Sequence, residues 1–280
     1  FHYQILIIMF KNKFALITGA GGLLGIQHAE ALAEIGFNVV LLDIKRKGKS
    51  KLGSVISNLR KNYPNNKFLS YDCDISSENQ IKKIQLKLNK NKIHVDVLVN
   101  NADKNPKMDK KKEVFTGRVE DYKIKNLKEE LNVGLIGTFV CCKIFGSEMA
   151  KKNKGIIINV ASDLGILAPN QEVYHPSENI KKVKNFKPIG YSISKHGILG
   201  ITKYLATYWA HRNVRCNALI PGGVLNNQPK HLIKNQIKRI PMKRWASKNE
   251  FKKAIQFLAS DGSKYMTGQN LVLDGGKTIW

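Results

Sequence analysis

The sequence predicts an α/β fold, a single domain built on a doubly wound parallel sheet of about seven strands with helices on both faces. Three observations carry this. Short, continuously apolar runs alternate with longer stretches whose apolar residues recur at helical spacing. A glycine cluster stands directly after the first apolar run, and the polar, irregular segments all follow strands. The length of 280 residues, with 42% apolar and 24% charged residues, suits one large globular domain.

Phe14–Thr18 is the first strand, and Leu24–Ile35 then carries helix-period apolar residues. Asn38–Leu42 is a second strand ending at Asp43, Lys67–Tyr71 a third, and Ile81–Leu88 a helical stripe. Val95–Val99 is the fourth strand, followed by a long helix around Leu127–Lys151. Ile156–Val160, Val214–Leu219 and Leu271–Leu273 complete the strands, with helices at Ile189–His211 and Phe251–Ala259. Residues 103–126, 166–188 and 222–247 lie outside the alternation. Each follows a strand, so each belongs to the carboxyl edge of the sheet and is a candidate substrate loop. Residues 1–12 are read as an N-terminal extension to a domain over 13–280, with Met9 the expected start and residues 1–8 upstream read-through.

The formal net charge of +26 raises the question of nucleic acid. The basic residues are 40 lysines against seven arginines, scattered among many asparagines and isoleucines. Specific recognition of phosphates and bases favours the arginine fork, so a solvated basic surface is expected, with no nucleic-acid partner. The apolar run Ile5–Phe10 is too short to span a bilayer or serve as a secretory signal, and no membrane partner is expected. Four cysteines (73, 141, 142, 216) form no CxxC pair and read as thiols of a reducing, cytoplasmic compartment. The seven histidines show no metal-ligand spacing, and no metal site is expected.

Chemistry begins at Thr18-Gly19-Ala20-Gly21-Gly22-Leu23-Leu24-Gly25, between the first strand and the first helix. Glycines there let the backbone approach a pyrophosphate seated on the helix N-terminus; a simple tight turn is the competing explanation. Asp43, 18 residues after Gly25, closes the second strand. A carboxylate at that place accepts from the adenosine ribose and repels a 2′-phosphate, which favours NAD over NADP. Lys45, Arg46 and Lys47 partly offset the repulsion.

With these segments in order, the chain resembles a short-chain dehydrogenase/reductase of the standard-length branch over essentially all of residues 13–277. Asp74-Ile75 resembles the family's adenine-contacting pair, and Asn100-Asn101-Ala102 its Asn-Asn-Ala-Gly segment. Asn132 lies in the long helix, Ser162 after the fifth strand, and Tyr191-Ser-Ile-Ser-Lys195 matches Tyr-x-x-x-Lys. Pro221-Gly222 and Asp274-Gly275-Gly276 follow the last two strands. The resemblance implies a Rossmann-type fold. Its implied cofactor contacts are Gly19, Gly22, Leu24, Gly25, Asp43, Asp74, Ile75, Asn101, Ala102, Tyr191, Lys195, Pro221, Gly222 and Val224. Its implied catalytic group is Asn132, Ser162, Tyr191 and Lys195. Tyr191 acts as general acid/base, Lys195 one turn on lowers its pKa and binds the nicotinamide ribose, Ser162 holds the reacting oxygen, and Asn132 helps position a proton relay. A homotetramer or homodimer is implied as well.

Three departures stand out: Leu23 at the middle glycine of Gly-x-x-x-Gly-x-Gly, Asp103 at the glycine after Asn-Asn-Ala, and a Ser162-to-Tyr191 spacing of 29 positions. Asp tolerates unusual backbone angles, so a local change around Asp103 is expected rather than loss of binding. Tyr174 sits in the insertion but has Glu178, not lysine, four residues on.

For the substrate, Asn105-Pro106-Lys107, the Ser-to-Tyr insertion, Pro221-Gly222-Gly223-Val224 and Thr278-Ile279-Trp280 resemble members linked to flagellin modification and nonulosonate sugar pathways. Together with Asn170, Gln171, Asn226, Asn227 and Gln228 they point to a small, polar, carbohydrate-like molecule. A polyol or keto-acid dehydrogenase similar to gluconate dehydrogenases is the alternative enzyme. A dinucleotide-binding sensor or scaffold is the non-enzymatic alternative, against which stand Tyr191 and Lys195.

Overall fold

The structure is a computed structural model and describes residue 10 and residues 12–45, 49–105, 117–174 and 186–280. Seven strands form one parallel sheet: β1 (Phe14–Thr18), β2 (Asn38–Asp43), β3 (Phe68–Asp72), β4 (Val95–Asn100), β5 (Gly155–Val160), β6 (Val214–Pro221) and β7 (Asn270–Leu273). Their order is β3-β2-β1-β4-β5-β6-β7. The chain therefore reverses its direction of travel across the sheet between β1 and β4, and the crevice above their carboxyl ends is where such sheets take ligands.

Alternation along the strands sends side chains to two cores. Ala15, Ile17, Val39 and Leu41 face α1 (Leu23–Glu34), α2 (Leu52–Asn62) and α7 (Lys252–Leu258), while Leu16, Val40 and Leu42 face α3 (Glu78–Lys90), α4 (Ile124–Lys151) and α5 (Ile189–Trp209). Phe10 also belongs to the first core, stacked on Phe37 at 4.5 Å, so the domain takes in the last residues of the stretch read as an extension. Met9 and the residues before it lie outside the described residues.

Two helices go beyond the sequence reading. Helix α2 buries Leu52, Val55, Ile56 and Leu59, a helix-period stripe between β2 and β3 that the first pass along the chain leaves unassigned. Helix α6 (Lys230–Ile237) lies inside the segment read as a loop and buries only Leu232, too little for a periodic signal. The long helix α4 contains two π-helical stretches, Asn132–Ile136 and Cys142–Gly146. It is long and apolar enough to span a bilayer, yet more than half of its apolar stretch is buried in the protein, with Val140, Phe145 and Met149 in the second core.

A buried amide chain ties the sheet to α5. Asn100 Nδ2 donates to Asn159 Oδ1 at 2.8 Å, and Asn159 Nδ2 donates to Thr202 Oγ1 at 2.9 Å. Such buried polar links fix the axial position of a helix better than apolar contact does.

On α1, His28 is fully buried and neither ring nitrogen has a hydrogen-bond partner among the described residues. Burial pushes its pKa down to about 3. The unfolded chain takes up this proton below pH ~6.5 and the native one does not, so stability falls as pH drops through that window, by at most about 1.4 kcal/mol per unit. Unfolding free energies from denaturant titrations at pH 7 and pH 5 should differ by about 2 kcal/mol more for the wild type than for His28→Leu. Equal pH dependence in both proteins would refute this.

Candidate active site

The glycine loop leaves β1 at Thr18 and enters α1 at Leu23. Gly19 has φ +62°, and a side chain there would run into the backbone of Ala102, so the loop and the exit of β4 touch directly. Asn101 fastens the contact: its Nδ2 donates to the carbonyls of Thr18 and Gly19 at 3.0 and 3.1 Å. The backbone N–H groups of Asn101 and Ala102 both donate to Thr18 Oγ1 at 3.0 Å. Gly25 packs against Gly19 and Ala20, and Leu24 packs against the first core. The N-terminus of α1 has no side-chain cap, which leaves its first-turn N–H groups open to an anion.

Asp43 reaches this loop from the end of β2. Its Oδ2 accepts from Gly21 N and its Oδ1 from Ile44 N, both at 2.7 Å. A carboxylate has about four acceptor sites, so capacity for two ribose hydroxyls remains. An open helix end, a glycine cradle and a fixed acid at the adjacent strand end fit a dinucleotide. Lys45 pairs with Asp72 at 3.6 Å rather than with Asp43; Arg46 and Lys47 lie outside the described residues. Asp74 turns its Oδ1 onto Ser76 N and Oγ at 2.9 and 2.7 Å. Ile75 is buried and packs on Gly137 of α4. At the far side, Gly222 N donates to Leu273 O at 2.9 Å after Pro221, and Val224 bridges to Ala246.

The structure brings Ser162, Tyr191 and Lys195 together. Ser162 is buried, its Oγ donates to Asp163 Oδ1 at 2.7 Å, and its hydroxyl lies close enough to Tyr191 to act on the phenol. Lys195 is buried one turn along α5, with Nζ donating to Val160 O at 2.8 Å and lying 2.9 Å from Asp103 Oδ2. The residue at the family's glycine position thus forms a buried ion pair with the lysine. One expectation changes as a result. Tyr191 is not held at a lowered pKa: burial raises it first, then the Asp103 charge, against a smaller lowering by the Ser162 hydrogen bond and a further rise from Asp163. Lys195 spends its charge on Asp103, and the phenol stays protonated at neutral pH.

Asn132 is not brought to this group. Among the α4 residues that meet α5 are Glu130 at Gly190, Gly134 at Ser194 and Leu135 at Gly197. Asn132 precedes Gly134 by two residues, roughly half a helical turn, and so stands on the other side of the helix. The position facing Ser194 is Gly134, and a side chain there would overlap the Asp103 carboxylate and Ser194 Oγ. Asp103 therefore fills the space that a side chain at Gly134 would take.

Sequence reasoning missed three participants. Asp163 accepts from Ser162 and pairs with Lys277 Nζ at 2.6 Å, which ties the C-terminal segment to the site. Lys187, just before α5, is buried with Nζ 4.2 Å from the Tyr191 ring centroid. Asp163 had a local signal, an acid directly after the strand-end serine, whereas Lys187 and Lys277 are brought in only by tertiary folding. Beyond the Ser162 turn, a cleft of about 520 Å³ is lined by Leu164, Leu167, Tyr174, Gln236, Arg239 and Trp280 among others. Residues 106–116 and 175–185 of the expected substrate loops lie outside the described residues.

Comparison with known proteins agrees with this geometry. The short chain dehydrogenase family model matches residues 13–236. The 2-dehydro-3-deoxy-D-gluconate 5-dehydrogenase of Bacillus subtilis is 30% identical over 277 residues, covering 95% of this chain and 94% of that protein. The NAD-dependent glycerol dehydrogenase of Listeria innocua is 30% identical over 273 residues, with 96% and 94% covered. A short-chain dehydrogenase of Leptospira borgpetersenii, solved with bound NAD+, superposes with a TM-score of 0.80 at 33% identity over 96% of this chain and 94% of that one. The glycine cradle, the Ser162–Tyr191–Lys195 group and these matches make the chain a member of the short-chain dehydrogenase family, a nucleotide-dependent oxidoreductase acting on hydroxyl groups.

Proposed function

We propose that this enzyme transfers hydride between NAD and a hydroxyl or ketone of a small carbohydrate-like substrate, with Tyr191 as the general acid/base. The observation that carries the reading is the grouping of Ser162, Tyr191 and Lys195 beside the glycine cradle, with Lys195 Nζ 5.5 Å from the Tyr191 ring centroid. When bound, the nicotinamide supplies the site that accepts or gives up the hydride. In the reducing direction Tyr191 donates its phenolic proton to the carbonyl oxygen while Ser162 holds that oxygen; in the oxidising direction the alcohol proton passes to Tyr191. The protonated phenol described above is the form that serves reduction. The cleft beyond Ser162 has the volume of a small-molecule site and takes the rest of the substrate.

NAD rather than NADP is supported by Asp43, held toward the glycine loop by Gly21 N with Lys45 engaged elsewhere. Asp43→Ala should erode the preference for NAD by about tenfold, as expected for loss of a charge-assisted hydrogen bond. An unchanged NAD/NADP ratio of kcat/KM would show that another group sets it.

For the substrate, relatives named for gluconate and glycerol chemistry support a polyol or sugar acid. The narrower reading, an amino sugar or surface-glycan precursor, rests on the segment resemblance alone. The test follows nicotinamide absorbance with sugar acids, polyols, amino sugars and nucleotide sugars. Tight NAD binding with no turnover across the panel would favour the sensor reading instead.

Exposed apolar side chains Ile136 and Phe139 on α4 and Ile193, Tyr204 and Tyr208 on α5 support assembly into a homodimer or homotetramer, which light scattering measures directly. Four buried, free cysteines support a cytoplasmic, reducing setting, and thiol accessibility in the purified protein checks it.

A further inference from the structure

Lys187 is 8% exposed. Its Nζ donates to Asn105 Oδ1 at 2.6 Å, and its backbone N–H donates to Gln171 Oε1 at 2.8 Å. An ammonium withdrawn from water calls for an anion. Other lysines of low exposure have one: Lys195 has Asp103, Lys277 has Asp163, and, on the other face of the sheet, Lys252 has Glu30 and Glu34. Lys187 has the neutral Asn105 oxygen and forms no ion pair among the described residues. Of the acids whose charge reaches it, Asp103 pairs with Lys195 and Asp163 with Lys277, while Glu130 accepts from the Tyr122 hydroxyl and keeps a buried Oε2 with no hydrogen-bond partner among the described residues. Burial pushes the ammonium down to about 8, with Asp103, Asp163 and Glu130 opposing the shift, so it keeps its charge at neutral pH.

The place matters as much as the missing partner. With Nζ 4.2 Å from the Tyr191 ring centroid, the ammonium stands over the ring of the tyrosine that serves the reacting carbon. Only one of its three N–H donors is used by Asn105. We propose that Lys187 receives a carboxylate of the substrate, set a few bonds from the carbon that Tyr191 serves, which makes the substrate a hydroxy or keto acid rather than a neutral polyol. A phosphate dianion fits less well, because Asp103, Asp163 and Glu130 surround the ammonium and it offers a point charge rather than a multidentate cradle. The inference rests on the dehydrogenase reading of the Tyr191 site.

The test titrates the protein with saturating NAD by calorimetry, using pairs that differ in one group: D-gluconate against D-glucitol, and L-lactate against 1,2-propanediol. Inorganic phosphate forms a third arm. At least one acid is expected to bind about tenfold or more tightly than its neutral partner, the scale of a desolvated charge pair. Lys187→Met and Lys187→Gln should both remove that advantage, and Lys187→Arg should keep most of it, with NAD affinity unchanged in all three. An acid advantage absent from the wild type, or one that survives both neutral substitutions, overturns the inference. Phosphate binding that depends on Lys187 when acid binding does not would overturn it too. Turnover of any panel member, read by nicotinamide absorbance, stands as the separate check on the dehydrogenase reading.

Discussion

Tyr191→Phe is expected to lower kcat by about 10²- to 10⁴-fold, the range over which a positioned acid/base group acts, with NAD affinity nearly unchanged. The ring is retained, so the stacking of Lys187 and Lys195 over it survives, and only the hydroxyl is lost. Because the interaction is made with the reacting oxygen, kcat and kcat/KM should fall together. Ser162→Ala should cost less, since Ser162 moves no proton. A Tyr191→Phe enzyme that kept a tenth of its rate or more would end the assignment. The next phenol to consider would then be Tyr174, which is buried and has its pKa raised by burial and by the charges of Asp163 and Tyr191. It lacks a lysine one turn on, so a double substitution should add nothing to Tyr191→Phe if the assignment is right.

The fold was legible because it is written in local patterns. Most strands are short apolar runs with a switch to helical spacing after them, the pattern of a parallel sheet covered on both faces. Helix α6 escaped because a helix that buries one side chain carries no periodic signal. In the site, the glycine loop, Asp43, Ser162, Tyr191 and Lys195 are contiguous motifs at strand or helix ends, and the structure brings the last three into contact. What the sequence could not show is how charges pair across elements. Lys195 with Asp103, Asp163 with Lys277 and Lys187 with Asn105 each join segments far apart in the chain. Asn132 was singled out as a polar residue in the right helix, whereas Gly134, which carries no chemistry of its own, marks a position that meets Asp103 and Ser194.

That glycine supplies the second large effect. Asp103 and Lys195 are 9% and 5% exposed at the side chain, so their pair is buried and removing one partner strands the other. Asp103→Ala should therefore destabilise the protein by about 3 kcal/mol, less whatever Lys195 recovers through Val160 O. It should also move the pH profile. Taking a negative charge away from Tyr191 lowers its pKa, so the limb of the oxidation rate that requires phenolate shifts to lower pH. Gly134→Ala attacks the same pair from the opposite side, by pushing a methyl group into the Asp103 carboxylate and Ser194 Oγ, and overpacking of this kind costs about 1–3 kcal/mol. The decisive variant combines Gly134→Ala with Asp103→Gly. Without the carboxylate, the new methyl meets Ser194 alone, so the double variant should be more stable than the sum of its parts by about 1 kcal/mol or more. Strict additivity of the two substitutions would show that Gly134 and Asp103 do not share the space the structure gives them, and the ion pair would lose its claim to position Lys195.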